Sequence, residues 1–211
     1  MNILDLIDNN ETNNFKNLVF STTNGKLKKD NIASFNLPAG DTCPYAGECA
    51  LFCYAKKGNY RFKNVKKKYS ENLELSKTDN FINVVNDSIK ALPNVTFYRI
   101  HSSGDFYNKV YLNKWLKIAR MNPTKVFYAY TKSIVLFKGV ELPDNFVLIQ
   151  SEGTINDSKF LDYSKPFARV FKDMAQMNDA IESGKFIDAS DSDLNAVKGA
   201  LTGKNIALRI H

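Results

Sequence analysis

Cys43, Cys49 and Cys53 are the only cysteines in the chain, and they crowd into the segment TCPYAGECALFCYA with the spacing C-x5-C-x3-C. An odd number cannot pair off internally, and thiols this close suit a shared metal in a reducing compartment better than a disulfide framework. Three thiolates on a 4Fe-4S cube leave one iron open to a substrate or cofactor. Structural zinc needs a fourth ligand and favours paired C-x2-4-C units, of which this loop has one; His101 is the candidate fourth ligand. The expectation is therefore a 4Fe-4S cluster on Cys43, Cys49 and Cys53, with zinc and a metal-free loop as the alternatives. The other histidine, His211, ends the chain and is expected to be idle.

A second group follows directly. The formal charge of +7, from 29 Lys and Arg against 22 Asp and Glu, is concentrated at Lys56, Lys57, Arg61, Lys63, Lys66, Lys67 and Lys68, with Tyr54, Tyr60, Phe62 and Tyr69 interleaved. Cations neutralise phosphates and aromatic rings stack on bases, so this composition suits a nucleic-acid contact; the competing reading is an ordinary solvated helix face. A third group is spread over three apolar runs that each end in small polar residues: His101-Ser102-Ser103-Gly104-Asp105, Thr131-Lys132-Ser133 and Ser151-Glu152-Gly153. Loops need polar residues anyway, but three such endings in succession point to a common rim.

The elements that must position these groups alternate β and α. Residues 31–37 read as a short strand leading to the cysteine loop. Helices fit 65–76, with Val65, Tyr69 and Leu73 on one face, and a stretch capped by Thr78 or Asp79 that carries Phe81, Val84, Val85, Ile89 and Leu92 and ends by Pro93. A strand at 95–100 precedes a helix at 110–121 burying Val110, Trp115, Ile118 and Ala119. Further strands fit 125–130, 146–150, 167–171, 185–189 and 205–210. A helix at 173–183 has Asp173 as cap, inward Met174, Met177 and Ile181, and Gly184 as its stop; a capped helical turn starts at Ser190. This order predicts one α/β domain, a partial or open parallel β/α barrel with its site at the carboxyl ends of the strands. The domain runs over 31–211 with the cysteine loop at 42–54, behind a polar extension at 1–30. At 211 residues, 44% hydrophobic, a second domain is not expected. No apolar run could span a bilayer, and the acidic, Asn-rich start is unlike a signal peptide, so a cytoplasmic location and no membrane partner are expected.

The segments FNLPAGDTCPYAGECALFCYAKKGNYRF, RIHSSGDFY and FYAYTKS resemble the phage gene-product-88 family over about residues 30–155. That resemblance implies a phage protein in the host cell cytoplasm and brings little chemistry. The cysteine loop is in turn similar to that of radical S-adenosylmethionine enzymes, which implies a minimal barrel of that kind. There, three cysteines hold the cluster, and an aromatic residue before the third packs near the adenine, as Phe52 would here. Ser103, Gly104 and Asp105 match in position a motif that binds the methionine amino group, and Lys132 or Glu152 would meet the carboxylate or ribose. The spacing is wider than the C-x3-C-x2-C usual in those enzymes, and no cysteine follows Cys53. Two functions follow. One is a radical enzyme acting on a nucleic acid or nucleotide, with S-adenosylmethionine as cofactor and an electron donor as partner. The other is a non-catalytic metal-binding module, iron-sulfur or zinc, that contacts nucleic acid or a host protein.

Overall fold

The computed structural model describes residues 19–23 and 25–210. The elements are β1 (Phe20–Ser21), α1 (Gly25–Lys29), β2 (Ile32–Phe35), α2 (Lys63–Lys77), α3 (Phe81–Lys90), β3 (Phe97–Ile100), α4 (Lys109–Met121), β4 (Val126–Thr131), β5 (Phe146–Ser151), α5 (Asp157–Phe160), β6 (Phe167–Phe171), α6 (Met174–Glu182), β7 (Phe186–Asp188), α7 (Asp193–Leu201) and β8 (Asn205–Arg209). Short 3-10 turns fill the cysteine loop at Glu48–Ala50, Tyr54–Lys56 and Gly58–Arg61.

These strands make one sheet in the order β1-β2-β3-β4-β5-β6-β8-β7. Only β1 is antiparallel; every other pairing is parallel. Central strands of such a sheet are covered on both faces, which is why all four residues of β2 are buried. The crossovers send α2, α3, α4 and α6 to one face, where Phe35, Phe81, Ile100, Tyr111, Trp115, Phe127 and Phe146 pack together and Met177 continues the layer against Phe167, Phe171 and Phe186. Leu27 of α1 and Ala196 and Val197 of α7 cover the opposite face over Ile32, Tyr128, Ile149 and Ile206.

The expected α/β class and parallel strands hold, but the sheet does not close into a barrel, and β1 and β7 stay as its edges. The reason is the last step: β8 returns to lie between β6 and β7 instead of adding beyond β7. That reverses the winding and carries α7 to the other face, whereas closure needs every strand to add in one direction. Two inward assignments are also corrected. Val110 is exposed, because α4 starts at Lys109 and turns its buried stripe, Tyr111, Leu112, Trp115, Leu116, Ile118 and Ala119, the other way. Met174 opens α6 and is exposed, while Met177 is fully buried. Asp173 and Gly184 act as read, the first accepting the amide N–H of Ala175 at 2.7 Å and the second at φ +74°. The second helix is preceded by Asn80 rather than by a capping Thr78 or Asp79, and the last one is capped by Ser192 rather than Ser190.

Residues 19–30 fall within the expected polar extension, yet Val19, Phe20 and Leu27 are buried and β1 and α1 belong to the fold. Both elements are too short to show periodicity. The rest of the extension, residues 1–18, and His211 lie outside the described residues.

Candidate functional site

The carboxyl ends of β3, β4 and β5 form the common rim. Asp105, beyond β3, accepts the hydroxyl of Thr131 at 2.6 Å and the amide N–H of Lys132 at 2.9 Å, both from the end of β4, and the amide of Phe106 at 2.7 Å. Burial pushes the Asp105 carboxyl up, and these donors pull part of the way back. The Lys132 ammonium reaches over to β5, donating to Ser151 Oγ at 2.7 Å and the Glu152 carbonyl at 2.6 Å. Glu152 in turn holds Arg169 of β6 in a bidentate pair at 2.6 and 2.7 Å. A polar chain thus links four neighbouring strands at one end.

Over this rim lies the cysteine loop. Ala46 bridges to Thr154; Gly47 donates its amide to the Gly153 carbonyl at 3.0 Å, and Ile155 donates to Tyr45 at 3.1 Å. Asp157 fixes the other side by accepting the amides of Gly153 and Thr154. At the β3 end, Tyr54 donates its hydroxyl to the Ser102 carbonyl at 2.5 Å. Gly104, at φ +83°, lies so close to this roof that a Cβ would stand 2.6 Å from both Leu37 Cβ and Thr42 Oγ1.

The expected cluster is overturned at this point. Among the described residues, no three His, Cys, Asp or Glu side chains are grouped so as to hold a metal ion, which removes the iron-sulfur and the zinc site alike. Each cysteine is fixed on its own turn by backbone bonding. Cys43 donates its amide to Gly40, Cys49 is the middle residue of one 3-10 turn, and Cys53 precedes the next. All three thiols are free and half-buried. Burial pushes Cys43 up to about 11 and also raises Cys49, against the pull of the Lys132 ammonium, so neither is poised as a thiolate. The iron-sulfur radical-enzyme function and its metal-binding alternative go with the cluster. His101, the fourth zinc ligand considered, is buried away from the thiols, with Nε2 2.9 Å from the Tyr111 hydroxyl and its ring edge-on to Phe106 at 4.8 Å.

The residues matched to cofactor contacts are brought to the rim, where most already have internal partners. Ser103 donates its hydroxyl to the Leu37 carbonyl at 2.8 Å, and Asp105, Lys132 and Glu152 make the bonds above. Phe52 is different: it is 38% exposed, with the Lys172 ammonium 5.4 Å from its ring centroid.

The basic segment divides in two. Lys68 is half-buried, donates to the Phe20 carbonyl at 2.7 Å, and is lowered by burial to about 8. Lys67 faces Glu71 at 3.7 Å, and Lys56 lies back towards Gly40. Lys57, Arg61, Lys63 and Lys66 are exposed and make no ion pair or side-chain hydrogen bond among the described residues. No acidic residue lies between Glu48 and Glu71.

Some supporting groups escaped sequence reasoning. Asn36 uses its carbonyl oxygen to accept the amides of Ser102 and Ser103 at 2.7 and 3.2 Å, holding the turn after β3. Beneath it, Arg99 donates to the fully buried Asp193 at 2.8 Å, as does the Tyr128 hydroxyl, and Lys26 pairs with the same carboxylate at 2.6 Å. An arginine inside an apolar strand, Phe-Tyr-Arg-Ile, was the available signal, since a buried charge demands a partner; its partner, 94 residues away, was not.

A family model described as Gene product 88 matches residues 9–208. The "Gene 88 protein" of Mycobacterium phage L5 is 32% identical over 132 residues, 55% of this chain and 54% of that protein, so the match spans about half the length of that relative. No solved structure matches.

Proposed function

The chain belongs to the gene product 88 family, and from that premise we propose that it binds nucleic acid through the segment 51–66, without a metal. The observation that carries the reading is that Lys57, Arg61, Lys63 and Lys66 have no side-chain partner among the described residues, four exposed cations on a stretch without acidic residues. A solvated helix face normally interleaves both signs of charge; a run of one sign held on successive rigid turns attracts phosphates. The family and the mycobacteriophage relative support the phage-protein reading. We place its action in the host cell cytoplasm, where phage and host nucleic acid are found. Among the described residues no helix is long and apolar enough to cross a membrane. With no cluster to reduce, an electron donor has no part in this reading.

The test is binding to a labelled oligonucleotide as salt is varied. Replacing Lys57, Arg61, Lys63 and Lys66 together by Gln is expected to flatten the plot of log affinity against log salt by about 0.7–0.9 per lost contact. Lys68→Gln, which removes a structural bond, should lower the melting temperature without changing that slope. An unchanged slope in the fourfold variant, or no binding at low salt, rejects the proposal.

A further inference from the structure

The same segment carries a second kind of group that phosphate contact does not explain. Leu51 is 85% exposed, Phe62 58%, Tyr54 43% and Phe52 38%, all within twelve residues of the roof. Side chains of this size are ordinarily buried, and here Phe62 lies between Arg61 and Lys63 while Lys56 and Lys57 follow Tyr54. Local bonds and ring contacts fix where they stand. Phe62 stands in extended conformation immediately before α2, with its amide bonded to the Asn59 carbonyl at 3.2 Å, so its ring projects from a fixed helix start. Phe52 stands near the start of the same segment, with the ammonium of the exposed Lys172, which follows β6, 5.4 Å from its ring centroid. Between them Tyr54 packs edge-on to Tyr60 at 5.7 Å, and Tyr60 lies against Tyr69 at 6.3 Å.

From this arrangement we infer that the nucleic acid taken by this surface is single-stranded, with Phe52 and Phe62 as platforms on which unpaired bases stack and Lys57, Arg61, Lys63, Lys66 and Lys172 as phosphate contacts. The inference rests on the nucleic-acid reading above and narrows it. In a duplex the base faces are already stacked, so exposed rings gain nothing there and cations alone suffice. A single strand offers a π-face at each base and a phosphate between bases, which suits a segment that carries both exposed rings and exposed cations. Every base has such a face whichever sugar carries it, so DNA and RNA strands are bound alike.

Fluorescence anisotropy at fixed salt, using oligo-dT, oligo-U and a duplex of about 16 base pairs, tests this. The single strands are expected to bind at least about tenfold tighter than the duplex. Phe52→Leu and Phe62→Leu should each weaken single-strand binding about fivefold or more while leaving the salt slope unchanged. Comparing strand with duplex on the wild-type protein needs no variant, so a variant that folds poorly does not decide the matter. Equal binding of strand and duplex, tighter duplex binding, or Leu variants that bind as wild type would overturn the single-strand inference and leave the nucleic-acid reading in place. Binding of neither probe at low salt would overturn both and return the exposed apolar residues to a protein or lipid partner.

Discussion

His101 follows β3 in the left-handed region, at φ +70°, where a residue other than Gly is uncommon and costs about 1–3 kcal/mol. Burial and the nearby Arg99 charge lower its imidazole to about 3, against an unfolded value of about 6.5. The folded state therefore binds fewer protons than the unfolded chain between these limits, so this group costs stability as pH falls from about 6.5 towards 3. Asp105, raised by burial, acts in the opposite sense, so the wild-type profile mixes the two. Comparison with His101→Asn, which keeps a residue suited to positive φ, isolates the histidine. Measured by urea unfolding at pH 7 and pH 5, the wild type is expected to lose up to about 1.4 kcal/mol per pH unit relative to the variant; a constant difference would show that His101 accepts a proton freely in the fold. Gly47 is a second position where one atom matters. A Cβ there would stand 2.0 Å from the Thr154 carbonyl oxygen, so Gly47→Ala must lift the roof from the β5 exit. We expect a loss of about 1–3 kcal/mol and faster alkylation of the half-buried Cys49 thiol two residues on. Unchanged alkylation would show that the roof is not anchored there.

At the scale of elements, Asp193 at the start of α7 ties three others together: Arg99 on β3, Tyr128 on β4 and Lys26 on α1. Burial alone would raise its carboxyl, but Arg99 and Lys26 outweigh it and hold Asp193 below the usual carboxylate range. Its stabilisation is therefore present above the unfolded value of about 3.9 and is lost as pH falls through the lower folded value. Asp193→Asn leaves Arg99 without its counter-charge in the interior and should cost about 3–5 kcal/mol at neutral pH, read from the shift in urea midpoint. The variant's disadvantage should shrink below about pH 4, as the wild-type carboxyl is protonated too. A loss under 1 kcal/mol at pH 7 would mean that the pair is solvated and does not hold α1 and α7 to the sheet.

For the whole molecule, the open sheet places its polar residues at one end and its apolar layers between two unequal sets of helices. α2, α3, α4 and α6 cover one face, while α1 and α7 cover the other. The cysteine loop spans the rim from the β3 exit to the β5 exit and projects the basic, aromatic surface outward from that end. The surface thus stands on a loop tied by hydrogen bonds to the exits of β3 and β5, and presenting rings and cations at fixed spacing requires such ties.

Periodicity and punctuation in the sequence were enough to determine the central strands, most helices, the Asp173 cap, the Gly184 stop and the meeting of three polar strand ends, because these depend on contacts within a few residues or on a rule of parallel sheets. The short elements β1 and α1 were invisible, since two and five residues carry no period. Spacing alone suggested that Cys43, Cys49 and Cys53 share a metal. Tertiary structure decided otherwise, because the bonds of Tyr45, Gly47 and Tyr54 to Ile155, Gly153 and Ser102, beyond the ends of β5 and β3, hold the loop. The same holds for the basic run. Its charge was plain from the residues, but only packing showed that Lys68 is spent on the Phe20 carbonyl while Lys57, Arg61, Lys63 and Lys66 are left to meet solvent or a polyanion.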